Sequence, residues 1–154
     1  MIDGGEMDEA RYRAALRGIL DAHSGAALEK LRGLSRDLPE AARGLSILVH
    51  VPQDPEGMFD VAAHLDGPDL HALNKAVAAH RDLFGVRFES GVLVPDVPMF
   101  DPFDQAFDVN EVITRVALDW IAALWAAFGG LSRPIPVIAA GVDHHGPETP
   151  LRLA

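Results

Sequence analysis

The stretch LSILVHVPQDPEGMFDVAAHL, residues 45–65, decides the fold because both of its halves alternate apolar and polar side chains. A period of two is typical of half-buried strands, so residues 45–51 and 58–65 are predicted to be strands. The intervening PQDPEG is rich in turn-forming residues and predicts a hairpin loop. The sequence therefore predicts an antiparallel sheet with one face against a core and the other toward water.

The apolar face of this hairpin also predicts its register. With the apolar side chains facing inward, His50 lies opposite Asp60 and Ser46 opposite His64 on the outward face. A carboxylate beside an imidazole is the orienting half of a catalytic triad. The chain has no cysteine and no G-x-S-x-G segment to supply a nucleophile. No residue is assigned as catalytic, and His50, Asp60 and His64 are the candidates that an enzyme would use.

The flanking segments complete the predicted fold. Residues 6–23 and 24–38 carry apolar stripes at helical spacing and predict an N-terminal helical hairpin. A third helix is predicted with a stripe from Leu70 to Phe84, followed by a hairpin over residues 86–94, a helix over 109–128 and two final strands. The prediction is an α+β fold, a helical hairpin followed by ββαββαββ, with a mainly antiparallel sheet and helices on one face.

The helix over residues 109–128 is predicted to be buried because it is apolar almost all round. Asp108 is its expected N-cap, and Gly129 its expected end. Asp119 is expected on a narrow wet edge, and Leu118 on the less buried side. Trp120 is expected in the core.

Length and charge bound the class of protein. At 154 residues the chain is predicted to hold one domain, residues 7–154, after a disordered tail over residues 1–6. A net charge of −10 disfavours binding to nucleic acid or to anionic membranes. The absence of cysteine favours a reducing cytoplasm. No cofactor fingerprint is found, and a monomer or a homodimer is expected.

Five acidic residues and no cation lie within residues 96–111, namely Asp96, Asp101, Asp104, Asp108 and Glu111. The last two are explained by the following helix, as its N-cap and the partner in a capping box. The other three are expected to be exposed, with Phe100 and Phe103 holding the loop to the body of the protein. Asp96, Phe100, Asp101, Phe103 and Asp104 are therefore the predicted interaction residues.

Two segments carry side chains that could bind a metal ion. Clustered carboxylates can bind Ca²⁺ or Mg²⁺, but the acidic segment lacks the EF-hand spacing. Asp143-His144-His145 could offer zinc ligands, yet a zinc site needs three or four that converge. A polar turn explains the second segment, and no metal is predicted.

Three groups of segments resemble a family of small uncharacterised bacterial proteins. They are Phe59-Asp60-Val61, His64-Leu65-Asp66-Gly67-Pro68-Asp69-Leu70 and Leu73-Asn74-Lys75; Phe100-Asp101-Pro102 and Phe107-Asp108-Val109-Asn110; and Asp119-Trp120 and Leu124-Trp125. The resemblance covers most of the chain after Met7. It implies no activity and no functional residue.

The leading hypothesis is a non-catalytic, cytoplasmic, acidic module that binds a basic protein, as immunity proteins do with bacterial toxins. The alternative is a small hydrolase or a metal-dependent enzyme that uses His50, Asp60, His64 and the acidic loop. An enzyme should gather these groups around one concavity, whereas a binding module should present an exposed acidic surface.

Overall fold

Two antiparallel helices, α1 (Glu9–Ala22) and α2 (Ser24–Arg36), form the N-terminal hairpin in a computed structural model that describes residues 7–142 and 145–154. The tail predicted over residues 1–6 lies outside the described residues. Helix α1 begins after Asp8, whose Oδ1 accepts a hydrogen bond from the Arg11 N–H at 2.7 Å. Its buried stripe of Tyr12, Leu16 and Leu20 has helical spacing, which confirms the predicted hairpin.

A five-stranded sheet forms the centre of the fold, in the order β3-β2-β1-β6-β7. Its strands are β1 (Gly44–His50), β2 (Asp60–Asp66), β3 (Asp82–Gly85), β6 (Val137–Gly141) and β7 (Leu151–Arg152), while β4 (Arg87–Glu89) and β5 (Val92–Val94) form a separate two-stranded ribbon. The pair β1–β6 is parallel and the other pairs are antiparallel. The predicted α+β class and mainly antiparallel sheet are confirmed.

The helices cover one face of the sheet. Helix α4 (Val109–Phe128) packs against β1, β6 and both N-terminal helices. Alternate residues of β1 are accordingly buried, whereas Ser46, Leu48 and His50 on the other face are half-buried. Helix α3 (Leu70–Ala76) borders β2, where Asn74 accepts from the Leu65 N–H and donates to the Leu65 carbonyl. The Asn74 side chain thus pairs with the N–H and carbonyl of Leu65, a β2 residue that lies beyond the end of β3.

The prediction of a third helix reaching Phe84 is wrong. Helix α3 ends at Ala76, and after a 3₁₀ turn (Ala78–His80) the chain enters β3. The Ala63 N–H donates to the Arg81 carbonyl at 2.8 Å, and Val61 pairs with Phe84 in the sheet. Phe84 reaches the core as a strand residue, with its ring 5.2 Å from that of Phe59. Tertiary pairing with β2 therefore overrides the helical spacing.

The bounds predicted for α4 are confirmed at both ends. Asp108 accepts from the Glu111 N–H at 3.1 Å, and Gly129 adopts a left-handed φ of 88° that ends the helix. The expectation for Leu118 is wrong, because this side chain is buried. The C-terminal segment covers it, and a Cβ on Gly146 would lie 3.4 Å from Leu118 Cδ1. None of the described helices is long and apolar enough to span a membrane.

Candidate functional site

The acidic loop, residues 95–107, joins β5 to α4 and is fastened to the body at several points. Phe100 is buried, with its ring 4.7 Å from Tyr12 and 5.8 Å from Phe107. The Phe100 N–H donates to the Glu56 carbonyl at 2.9 Å, in the loop between β1 and β2. Gln105 donates to the backbone of that same loop. These contacts give the acidic loop a defined path over α1.

Phe103 lies at the tip of the loop and is 96% exposed. Its N–H donates to Asp101 Oδ1 at 2.9 Å, and the Asp104 N–H donates to the Asp101 carbonyl at 3.3 Å. Asp101 thus shapes a tight turn whose exposed side chain is an aromatic ring. The prediction that Phe103 holds the loop to the body is wrong, because Phe100 and Phe107 occupy the apolar contact with α1.

The carboxylates of this region divide into two groups. Asp96 and Asp104 are exposed as predicted, but the prediction is wrong for Asp101, which is half-buried because it accepts from the Phe103 N–H. Glu111 instead accepts from the Gly146 N–H at 2.9 Å and from Arg115 Nε at 2.8 Å, so it ties α4 to the C-terminal segment rather than completing a capping box. The Gly146 hydrogen bond, followed by the one from Arg115, lowers the pKa of Glu111. Glu111 is therefore engaged in contacts within the chain, whereas the carboxylates of Asp96 and Asp104 face solvent.

The predicted register of the β1–β2 hairpin is confirmed. His50 pairs with Asp60 and Ser46 with His64, and His50 Nδ1 lies 3.0 Å from Asp60 Oδ1. The sequence did not indicate the partner of His64, whose Nδ1 lies 2.7 Å from Arg81 Nη2. Because the guanidinium can only donate, His64 Nδ1 is the acceptor in this contact. Partial burial, followed by the charge of Arg81, lowers the pKa of His64.

His50, Asp60 and His64 lie close together on the outer face of β1 and β2, and the ring centroids of the two histidines are 5.4 Å apart. His50 and Asp60 line a shallow depression of about 290 Å³ whose other walls are mainly apolar, including Met58 and Phe59. Among the described residues, neither His64 nor any carboxylate of the acidic loop lines this depression. No group of three or more His, Asp or Glu side chains in residues 7–142 and 145–154 is placed to bind a metal.

The predicted polar turn at Asp143-His144-His145 lies partly outside the described residues. His145 is described, and its Nδ1 lies 3.6 Å from Glu111 Oε2.

A family model described as a family of unknown function, DUF6389, matches residues 7–154. The chain belongs to this family. No curated protein and no solved structure matches it.

An apolar groove of about 370 Å³ lies between α1 and β5 in this DUF6389 chain and was not predicted from the sequence. Ala15 and Ile19 form the helix side, and Val92 and Met99 are among the residues that face them. The ribbon next to it exposes Phe88 at 52% and Val92 at 57%. The sequence feature that could have indicated this groove is the shortness of the predicted 86–94 hairpin. Two short strands alone cannot bury both of their faces, so an exposed apolar surface is expected beside them.

Proposed function

We propose that this chain is a non-catalytic protein-interaction module and that the acidic loop is its contact surface. The exposure of Phe103 carries the proposal, because water disfavours an apolar ring that contacts nothing. Aromatic side chains in the centre of a contact area are typical binding hot spots. Phe103 is the anchor in this proposal, and Asp101 and Asp104 flank it in the sequence.

The charge of the chain supports a basic partner. The net charge is −10, and within residues 95–107 there are three carboxylates and no cation. Complementary charge speeds association and suppresses binding to acidic proteins. A small acidic protein that neutralises a basic one, as immunity proteins do, is one instance of this class by analogy. We propose a cytoplasmic location, because the chain has no cysteine to be stabilised by oxidation.

The defined path of the loop also favours binding. Buried Phe100 and the hydrogen bonds to the β1–β2 loop fix the segment before any partner arrives. A preorganised segment loses less conformational entropy on association than a free one. Phe100 and Gln105, which hold the loop to the body, differ from Phe103, so a change at Phe103 tests binding separately from folding.

The test is a comparison of immobilised wild type, Phe103→Ser and the double variant Asp101→Asn/Asp104→Asn. Each is exposed to an extract of the cells that produce the protein, and the captured basic proteins are then measured for association kinetics. We expect Phe103→Ser to speed dissociation, and the double variant to slow association by about tenfold at low salt. The matched control is Asp119→Asn on the exposed side of α4. Equal capture by all variants would refute the proposal.

The alternative of a small hydrolase retains one supporting observation, the 3.0 Å contact between His50 and Asp60 beside a depression. Such a pair can present the other imidazole nitrogen as a proton acceptor. Hydrolysis of p-nitrophenyl acetate that disappears in His50→Gln, but not in His71→Gln on the exposed side of α3, would favour this alternative.

A further inference from the structure

Strand β5 pairs with β4 along one edge. It pairs with β4 through Leu93 opposite Phe88 and Val92 opposite Glu89, and this ribbon contains no third strand among the described residues. Within residues 7–142 and 145–154, no strand pairs with the other edge of Val92–Val94. An unpaired edge presents backbone N–H and carbonyl groups that can pair with an extended segment of another chain.

The apolar groove between α1 and β5 follows this unpaired edge. It is lined by Gly91, Val92 and Leu93 but, within the described chain, by no residue of β4. Successive residues of a strand point to opposite faces, and the groove is lined by the successive residues Val92 and Leu93 of β5. Ala15 and Ile19 of α1 form the opposite wall. The space is therefore open to a segment lying parallel to the strand.

The groove is continuous with the acidic loop. Asp96, Val97, Pro98 and Met99 line it, and the chain then continues into buried Phe100 and the exposed tip. Asp96 is the only titratable side chain that lines the groove among the described residues. An apolar groove with a single carboxylate is complementary to a segment that carries both apolar and basic side chains.

We infer that this groove binds an extended basic segment of the partner by strand addition. The inference rests on the proposed function and names the part of the partner that is recognised. The segment pairs its backbone with β5, places apolar side chains between Ile19 and Val92, and brings a Lys or Arg to Asp96. Main-chain bonds supply affinity in this mode of recognition, and the side-chain pockets supply specificity.

The test uses a synthetic peptide in which lysine and leucine alternate, labelled with fluorescein, with fluorescence anisotropy as the readout. An all-lysine peptide of the same length measures attraction by charge alone. Ala15→Gln fills the groove with a longer side chain while keeping a good helix former. Ala14→Gln is the matched control, because Ala14 is exposed and does not line the groove. The unfolding midpoints of the two variants are compared first.

We expect Ala15→Gln to weaken binding of the lysine–leucine peptide by about tenfold, and Ala14→Gln by less than about twofold. Asp96→Asn should weaken it by about threefold at low salt, and more than Asp119→Asn, which removes the same charge elsewhere. The all-lysine peptide should bind more weakly than the lysine–leucine peptide and be insensitive to Ala15→Gln.

Two other outcomes separate this inference from the proposed function. If Ala15→Gln and Asp96→Asn bind as their controls do, while Phe103→Ser and Asp101→Asn/Asp104→Asn weaken binding, the groove is not the site and the acidic loop remains the contact surface. If the lysine–leucine peptide binds every variant as it binds the wild type, the groove inference is overturned, and the proposed function is then decided by the capture experiment with Phe103→Ser and Asp101→Asn/Asp104→Asn. Equal affinity of the two peptides for the wild type would also overturn the groove inference.

Discussion

Replacing Trp120 by alanine tests how the helical hairpin and α4 form one core. The Trp120 ring is buried, lies 6.2 Å from the Phe84 ring, and donates its Nε1–H to Ser24 Oγ at 2.9 Å. A Trp side chain buries about 150–250 Å², which at about 25 cal/mol per Å² corresponds to roughly 4–6 kcal/mol. This figure is an upper bound because the unfolded chain already buries part of the ring, so we expect Trp120→Ala to lower the free energy of unfolding by about 3–5 kcal/mol.

The indole hydrogen bond can be separated from the ring. Trp120→Phe keeps an aromatic ring and removes the N–H, so it should cost about 1–2 kcal/mol. Urea denaturation of Trp120→Phe, Ser24→Ala and the double variant forms a cycle whose coupling term measures that hydrogen bond. Leu70→Ala is the control, because Leu70 is 56% exposed. A loss for Trp120→Ala no larger than for Leu70→Ala would refute the packing described here.

Three further predictions concern stability. Leu118→Ala should lower the free energy of unfolding by about 2–5 kcal/mol in urea titrations, because the side chain is 2% exposed; a loss under about 0.5 kcal/mol would contradict its burial. Burial and then Arg81 lower the pKa of His64, so the unfolded chain binds this proton more readily and stability should fall as the pH drops below about 6.5. His64→Gln should lose less stability than wild type between about pH 8 and about pH 5, and equal losses would show that His64 is not responsible. The hydrogen bond from the Gly146 N–H lowers the pKa of Glu111, so the stability that ionised Glu111 contributes is present above about pH 4.3 and is lost as the pH falls below it. Glu111→Gln should therefore be less stable at neutral pH and show a flatter acid unfolding transition, and an unchanged transition would contradict this.

Local patterns predicted those parts of the fold that local chemistry determines. The strict alternation in residues 45–65 sets the β1–β2 register, because a slip by one residue would expose the apolar face. Asp108 and Gly129 mark the ends of α4, because an Asp can accept from free N–H groups at a helix start and a Gly can adopt the left-handed conformation that ends a helix. The parallel pairing of β1 with β6 has no such mark, since it joins segments about ninety residues apart. Strand β3 was missed because Leu83 and Phe84 are too few to distinguish the two periods.

The candidate site was predictable in charge but not in orientation. A run of aspartates without cations indicates an exposed loop, and Asp96 and Asp104 are exposed. Phe100 and Phe103 occur three residues apart in that loop, and nothing local distinguishes a ring that packs from one that projects. The difference arises from the turn at Asp101 and from the position of Tyr12 on another element. Contacts of this kind depend on tertiary structure.

The separation between anchors and contact residues explains how an acidic loop can persist on a marginally stable domain. Repulsion among Asp96, Asp101 and Asp104 opposes folding, but it is weakened by water and salt around exposed groups. Phe100 offsets it by burying its ring against α1, and this contribution does not depend on charge. The exposed tip at Phe103 contributes little to the core, so the residues proposed to contact a partner can change while the frame that presents them stays intact.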